Sequence, residues 1–272
     1  MPKVTARDGT RLYVKDWGTG PAVVLIHGWP LNADMWEYQA VALFEAGFRV
    51  ISYDRRGFGR SDQPATGYDY DTLADDLALV IEACGVDRVA LAGFSMGGGE
   101  VARYLGRHGP SRVTRAALIS AVTPFMLKTD DNPDGVDPHV LDGMKDGLRK
   151  DRAKFLEGFG KDFYGVGWVS QPISQQWLEW TQTLALMASP VATLACVDAF
   201  GRTDFRPDMA AFTMPTLIIH GTADKTVPID PTARTTAKLV PGAELIEYGG
   251  EPHGLFATVP DQLSTDLLRF LS

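Results

Sequence analysis

Seven short apolar runs recur along this chain, and most are continuous rather than alternating. They are Leu12–Val14, Ala22–Ile26, Arg49–Tyr53, Val89–Ala92, Ala116–Ile119, Thr216–Ile219 and Leu245–Tyr248. A strand that faces water on one side alternates apolar and polar residues. A strand that is apolar throughout is covered on both faces, as in a parallel sheet flanked by helices. Helix-like segments fall between the runs. Leu73, Leu77, Val80, Ile81 and Cys84 lie at helical spacing, with Thr72 and Asp75 in capping positions and Gly85 closing the helix. Another helix is expected from about Met96 to His108, ending at Gly109-Pro110, and a third from Gln262 to Leu271. This rhythm predicts the α/β class, a doubly wound and mostly parallel sheet with an antiparallel start.

The rhythm breaks between about Thr123 and Arg206. This stretch is helical and irregular. It holds Trp168, Trp177 and Trp180 together with Phe125, Phe155, Phe159 and Phe163. It reads as an inserted helical cap over residues 123–206, with a small core of its own and an inner face toward a substrate. Residues 1–122 and 207–272 then form the core domain. A chain of 272 residues, 45% hydrophobic, is long enough for one such domain. The net charge of −8 argues against a nucleic-acid surface. The opening Met1-Pro2-Lys3-Val4-Thr5 has no apolar leader, and no stretch is long enough to span a membrane, so a soluble, cytoplasmic protein is expected. Cys84 and Cys196 make no disulfide framework, and the five scattered histidines form no metal motif.

Ser95 stands in Gly93-Phe94-Ser95-Met96-Gly97, directly after one apolar run and directly before a helical segment. So short a pattern arises by chance, and its context carries the weight. A tight strand-to-helix turn pushes a serine hydroxyl outward, and glycines on either side let the chain turn without clashes. A hydroxyl is a poor nucleophile at neutral pH. It needs a base, and the base needs a partner that fixes its tautomer. In a doubly wound sheet such partners sit just past the carboxyl ends of later strands.

Elimination picks the base. His253 follows the last strand in Gly249-Gly250-Glu251-Pro252-His253-Gly254. His220 ends its own apolar strand and reads as a half-buried structural residue. His139 lies among Asp and Pro in the cap, and His108 suits a helix C-terminus. Asp224, on the loop after the run ending near His220, supplies the acid; Asp230 lies further from the strand end. The chain order Ser, Asp, His fits this kind of sheet. Two backbone donors are expected to receive an oxyanion, the N–H of Met96 and the N–H of Trp29 in His27-Gly28-Trp29-Pro30. Each such donor is worth about 3–4 kcal/mol in a transition state.

With these residues in hand, the chain resembles the α/β-hydrolase superfamily over nearly its whole length. More narrowly it resembles the bacterial arylesterases and the cofactor-free haloperoxidases, or perhydrolases. The likeness is carried by His27-Gly28-Trp29-Pro30, Asp54 to Asp62, Gly93 to Gly99, Thr203-Asp204-Phe205-Arg206 and Pro252-His253-Gly254. The resemblance implies an eight-stranded α/β-hydrolase fold and a serine hydrolase acting on small aryl or short-chain alkyl esters. It implies no cofactor and no metal. The partners would be an ester or carboxylic acid and water or hydrogen peroxide, with the acyl-enzyme yielding a peracid when peroxide attacks. Haloperoxidase-like members tend to carry proline at the position of Pro30, where esterase-like members often carry leucine, so the resemblance tilts the chain toward perhydrolysis. Pro30, Val122, Phe125, Phe159, Phe163 and Val227 match pocket positions. Relatives often form trimers or larger rings, so a homo-oligomer is open by likeness alone, and no interface can be read in the sequence.

Other readings share the fold. Epoxide-opening and halide-displacing relatives use an aspartate where this chain has Ser95. A hydroxynitrile lyase or a lactamase would keep the serine, and a non-catalytic small-molecule receptor can keep the whole triad. The Asp54 to Asp62 loop reads as a tied-down structural loop, since it lacks the lysine and following helix of a phosphate cradle.

Overall fold

The computed structural model describes residues 4–272; Met1–Lys3, part of the opening segment read above for a leader, lie outside the described residues. One eight-stranded sheet forms from β1 (Val4–Thr5), β2 (Arg11–Trp17), β3 (Ala22–Ile26), β4 (Arg49–Asp54), β5 (Val89–Phe94), β6 (Val113–Ile119), β7 (Thr216–Gly221) and β8 (Glu244–Tyr248). The spatial order is β1-β2-β4-β3-β5-β6-β7-β8. β2 pairs antiparallel with β1 and β4, and every later pairing is parallel. The seven apolar runs all lie in strands. β1 escaped the pattern because two residues carry no periodicity. All six residues of β5 are buried, which explains why its sequence never alternates.

Six helices connect the strands or follow them: α1 (Glu37–Glu45), α2 (Tyr70–Ala83), α3 (Met96–His108), then α7 (Thr235–Leu239), α8 (Leu255–Thr258) and α9 (Pro260–Leu271). α1 packs beside α9, and α2 beside α3. The cap of α2 differs from the expectation. Asp69, not Thr72, is the N-cap, and its carboxylate accepts from both the Thr72 N–H and the Thr72 hydroxyl at 2.9 Å. Thr72 is thus the capped partner, three residues on. α9 starts two residues before the expected Gln262 because Pro260 occupies the first turn, where its missing N–H costs nothing.

Between β6 and β7 the chain makes its helical excursion through α4 (Pro138–Phe163), α5 (Gln175–Leu186) and α6 (Pro190–Arg202). α4 breaks at Asp151, whose side chain accepts from the Lys154 N–H at 3.0 Å and starts a second helical stretch. Trp177 stacks on Tyr38 at 4.9 Å and meets Trp180 edge-on. Trp168 departs from the expected cap core, being fully exposed. Phe163 of α4 reaches Phe94 of β5 at 5.9 Å, and Phe94 in turn packs on Phe256 of α8 at 5.1 Å. This aromatic contact seats the excursion over the carboxyl end of β5. No single helix among the described residues is long and apolar enough to cross a membrane.

The Asp54 to Asp62 loop is tied down by charge. Asp54 accepts from the N–H groups of Ala33 and Arg60 and from the Arg60 guanidinium. Arg56 forks onto Asp76 at 2.6 and 2.8 Å. Arg55 pairs with Glu100 of α3, both fully buried. Cys84 and Cys196 are buried free thiols.

Candidate active site

Ser95 sits on the turn between β5 and α3 with φ +53° and ψ −117°. A serine pays roughly 1–3 kcal/mol for such a backbone. Close packing holds it there. A Cβ on Gly93 would come within 2.4 Å of the Gly97 carbonyl oxygen, and one on Gly97 within 2.4 Å of the Ile26 oxygen. Neither site admits a side chain, so the two glycines of the motif are required by contact as well as by the turn. The Ser95 N–H donates to Ile119 of β6 at 2.8 Å, which anchors the turn to the neighbouring strand.

The loops after β7 and β8 bring the other two expected residues to this serine. His253 Nε2 lies 2.9 Å from Ser95 Oγ, and His253 Nδ1 lies 2.6 Å from Asp224 Oδ2. An ionised carboxylate can only accept, so Nδ1 carries the proton and Nε2 turns a lone pair to the hydroxyl. Phe94 and Phe163 fix the ring of His253 from two sides, at 4.9 and 4.7 Å. Asp224 does not cap a later helix. Its Oδ1 accepts from the N–H groups of Thr226 and Val227 at 2.9 and 2.8 Å. Burial works to raise its pKa, but the neighbouring His253 and the hydrogen bonds from His220 and His253 outweigh it and hold the carboxyl well below its usual range. Asp230 lies on the surface, paired with Arg234.

Two N–H groups are the expected oxyanion donors, and the residues that carry them, Met96 and Trp29, stand respectively next to Ser95 in the chain and beside it in the cavity wall. Met96 is the first residue of α3, so its N–H precedes the first intrahelical bond and belongs to the positive end of the helix. The Trp29 N–H donates to no acceptor among the described residues, while its indole Nε1 donates to Thr193 of α6 at 3.1 Å. The loop carrying Trp29 is clamped. A Cβ on Gly28 would lie 2.6 Å from the Phe94 ring and 3.1 Å from Ser95 Cβ. Arg55 donates from its guanidinium to the His27 carbonyl at 2.6 Å and from its N–H to His27 Nε2 at 3.0 Å. His27 Nδ1 donates onward to the Gly28 carbonyl at 2.9 Å. Burial, then the Arg55 charge, push the His27 pKa well below that of a free imidazole. His27 is therefore a neutral structural link.

Ser95 opens into a small, largely apolar cavity. Trp29, Val122, Phe159 and Val227 line it as expected. Phe163 and Pro30 instead line a small neighbouring cavity, which shares Phe159 as a wall. Phe125 lines neither; the Arg206 guanidinium lies 4.9 Å over its ring. Sequence reasoning missed Met126, Val136, Val140, Leu141, Met144 and Phe200. Val140, Leu141, Met144 and Leu148 do recur at helical spacing, and that stripe was the available signal. Among the described residues no group of three or more His, Cys, Asp or Glu side chains could hold a metal.

His220 also departs from the expectation. It is wholly buried rather than half-buried, with Nε2 3.1 Å from Asp224 Oδ2. His108 pairs with Asp75 at 2.8 Å, and His139 is exposed at the start of α4.

Residues 21–259 match the family model described as the alpha/beta hydrolase fold. The chain is 44% identical to the non-heme chloroperoxidase CPO-A1 of Kitasatospora aureofaciens over 275 aligned positions, covering all of both chains. It is 40% identical to the bifunctional esterase/perhydrolase DCH of Acinetobacter calcoaceticus, covering 100% of this chain and 99% of that one. Among solved structures, the bromoperoxidase from Bacillus anthracis superposes with a TM-score of 0.96 at 43% identity, over 100% of this chain and 99% of the other. The chain belongs to the α/β-hydrolase superfamily and, within it, to the group of the non-heme haloperoxidases and their esterase/perhydrolase relatives.

Proposed function

We propose that this protein is a serine hydrolase of small aryl and short-chain alkyl esters that also makes peracids with hydrogen peroxide. The observation that carries the reading is the buried line from Ser95 Oγ through His253 to Asp224, at 2.9 and 2.6 Å. Ser95 Oγ attacks the ester carbonyl as His253 Nε2 takes its proton. Asp224 holds the imidazole in the needed tautomer and stabilises the imidazolium. The N–H groups of Trp29 and Met96 receive the oxyanion. Collapse expels the alcohol, which leaves with the proton from His253, and the acyl group stays on Ser95.

Deacylation repeats these steps with a second nucleophile. Water gives the carboxylic acid. Hydrogen peroxide gives the peroxycarboxylic acid, and Ser95 regains its proton in either case. A peracid released to solution oxidises halide there, which accords with the chloroperoxidase and bromoperoxidase names of the relatives. The apolar cavity walls favour small, uncharged acyl and alcohol groups. Pro30 follows Trp29 and carries no N–H, so the Trp29 carbonyl is held differently than a leucine would hold it.

The test is a panel of p-nitrophenyl esters with and without peroxide, on wild type, Ser95→Ala and Pro30→Leu. Ser95→Ala should abolish ester cleavage and peracid formation together. Pro30→Leu should lower the ratio of peracid to acid. Turnover that survives in Ser95→Ala would contradict the reading, and an unchanged ratio in Pro30→Leu would remove Pro30 from it.

A further inference from the structure

We infer that His220 is a second histidine on the carboxylate of Asp224, a positioning residue that sets how strongly Asp224 engages His253. The inference rests on the serine-hydrolase reading above and adds to it. His220 Nε2 lies 2.8 Å from the Val227 carbonyl oxygen and 3.1 Å from Asp224 Oδ2. Both are acceptors. The Val227 carbonyl accepts from Nε2, which fixes the ring proton there, and Asp224 Oδ2 stands beside the same N–H. His220 Nδ1 is then a buried lone pair without a donor among the described residues. A buried acceptor left unpaired costs free energy, and a merely space-filling residue at this strand position would avoid it.

The same Asp224 oxygen receives His253 Nδ1 at 2.6 Å. Asp224 thus accepts three hydrogen bonds, from Thr226 and Val227 on Oδ1 and from His253 on Oδ2, while the Nε2–H edge of His220 stands 3.1 Å from Oδ2. A polarised N–H beside Oδ2 draws off part of the negative potential His253 feels. Val227 closes the arrangement, because its N–H donates to Asp224, its carbonyl accepts from His220, and its side chain lines the Ser95 cavity. The charged groups around the pair are few. Glu247 of β8 lies across from His220 but is exposed and paired with Arg234. Lys225 and Glu251 lie on the flanking loops, and the Glu251 carboxylate accepts from Thr258.

The test compares His220→Leu, His220→Asn and His220→Gln by the pH dependence of kcat/KM on p-nitrophenyl acetate. The glutamine amide reaches the position of Nε2 and can restore the donor. The asparagine amide stops at the level of Nδ1 and cannot. Without the donor, Asp224 holds the His253 imidazolium more tightly, and the inactive protonated form persists to higher pH. His220→Leu and His220→Asn should keep their plateau kcat and KM within about threefold of wild type, and their acid limb should move to higher pH by roughly half a unit. His220→Gln should return the limb most of the way to wild type. If His220→Leu does not fold, the asparagine and glutamine pair carries the comparison. Equal acid limbs in those two variants, or a wild-type limb in His220→Leu, would overturn the inference. Activity surviving in Ser95→Ala would instead overturn the reading beneath it.

Discussion

His253 Nε2 stands 2.9 Å from Ser95 Oγ, although 158 residues separate the two in the chain. The sheet closes that distance. Ser95 leaves the end of β5, Asp224 the loop after β7 and His253 the loop after β8, and parallel strands deliver all three to one edge. The proposed chemistry therefore depends on the register of β5 to β8 as much as on the three side chains.

Asp224→Asn should leave the fold intact and remove the tautomer control. An amide in place of Oδ2 can present its N–H to His253 Nδ1. The ring proton then moves to Nε2, which faces Ser95 as a donor and can no longer take the hydroxyl proton. A fall of about 10⁴ in kcat near neutral pH, with KM nearly unchanged, is the expected outcome of steady-state kinetics. A loss of less than tenfold would show that the tautomer is set elsewhere.

The same carboxylate predicts an acid limit to stability. Its folded-state pKa is depressed, so its contribution is fully present above the unfolded carboxylate value of about 3.9 and is lost as pH falls through the lower folded value. Urea midpoints of wild type and Asp224→Asn, followed from neutral to acid, should differ by a constant amount above about pH 5 and converge in strong acid. A gap that widens on acidification would reverse the assigned sign.

Glu100 and Arg55 form a buried pair beneath the Trp29 loop, and Tyr53 donates to Glu100 at 2.5 Å. Glu100→Ala should leave the Arg55 charge buried without its partner, at a cost of about 3–5 kcal/mol in denaturant unfolding. Activity should fall as well, because Arg55 also holds the His27 carbonyl. The double variant Glu100→Ala, Arg55→Met should regain part of the stability. Additive losses would mean that the two groups act separately.

Phe159 is the shared wall of the Ser95 cavity and its neighbour. Phe159→Ala should join the two spaces and raise activity on longer p-nitrophenyl esters relative to the acetate, by roughly threefold or more. An unchanged chain-length profile would place the acyl group away from this wall.

Much of this was legible in the sequence for a physical reason. A strand buried on both faces writes itself as an unbroken apolar run, and a loop residue past such a strand is placed by the sheet. The positions of Ser95, Asp224 and His253 follow from those two facts. The cavity walls did not, because Met126, Val136 and Phe200 sit in irregular or helical segments whose packing partners lie far along the chain. Phe125 has the composition of a pocket residue and packs under Arg206 instead. His220 shows the limit most clearly: one strand residue reads as core, and only the loop folding back over it brings Asp224 within 3.1 Å.

The central claim is that the acyl group passes through Ser95. Rapid quenching of a p-nitrophenyl acetate reaction, followed by peptide mass spectrometry, tests it directly. A single acetyl group on the peptide bearing Ser95 is the predicted result, decaying faster when hydrogen peroxide is present and absent from Ser95→Ala. Turnover without that adduct, or an acetyl group carried on another residue at a competent rate, would contradict the account.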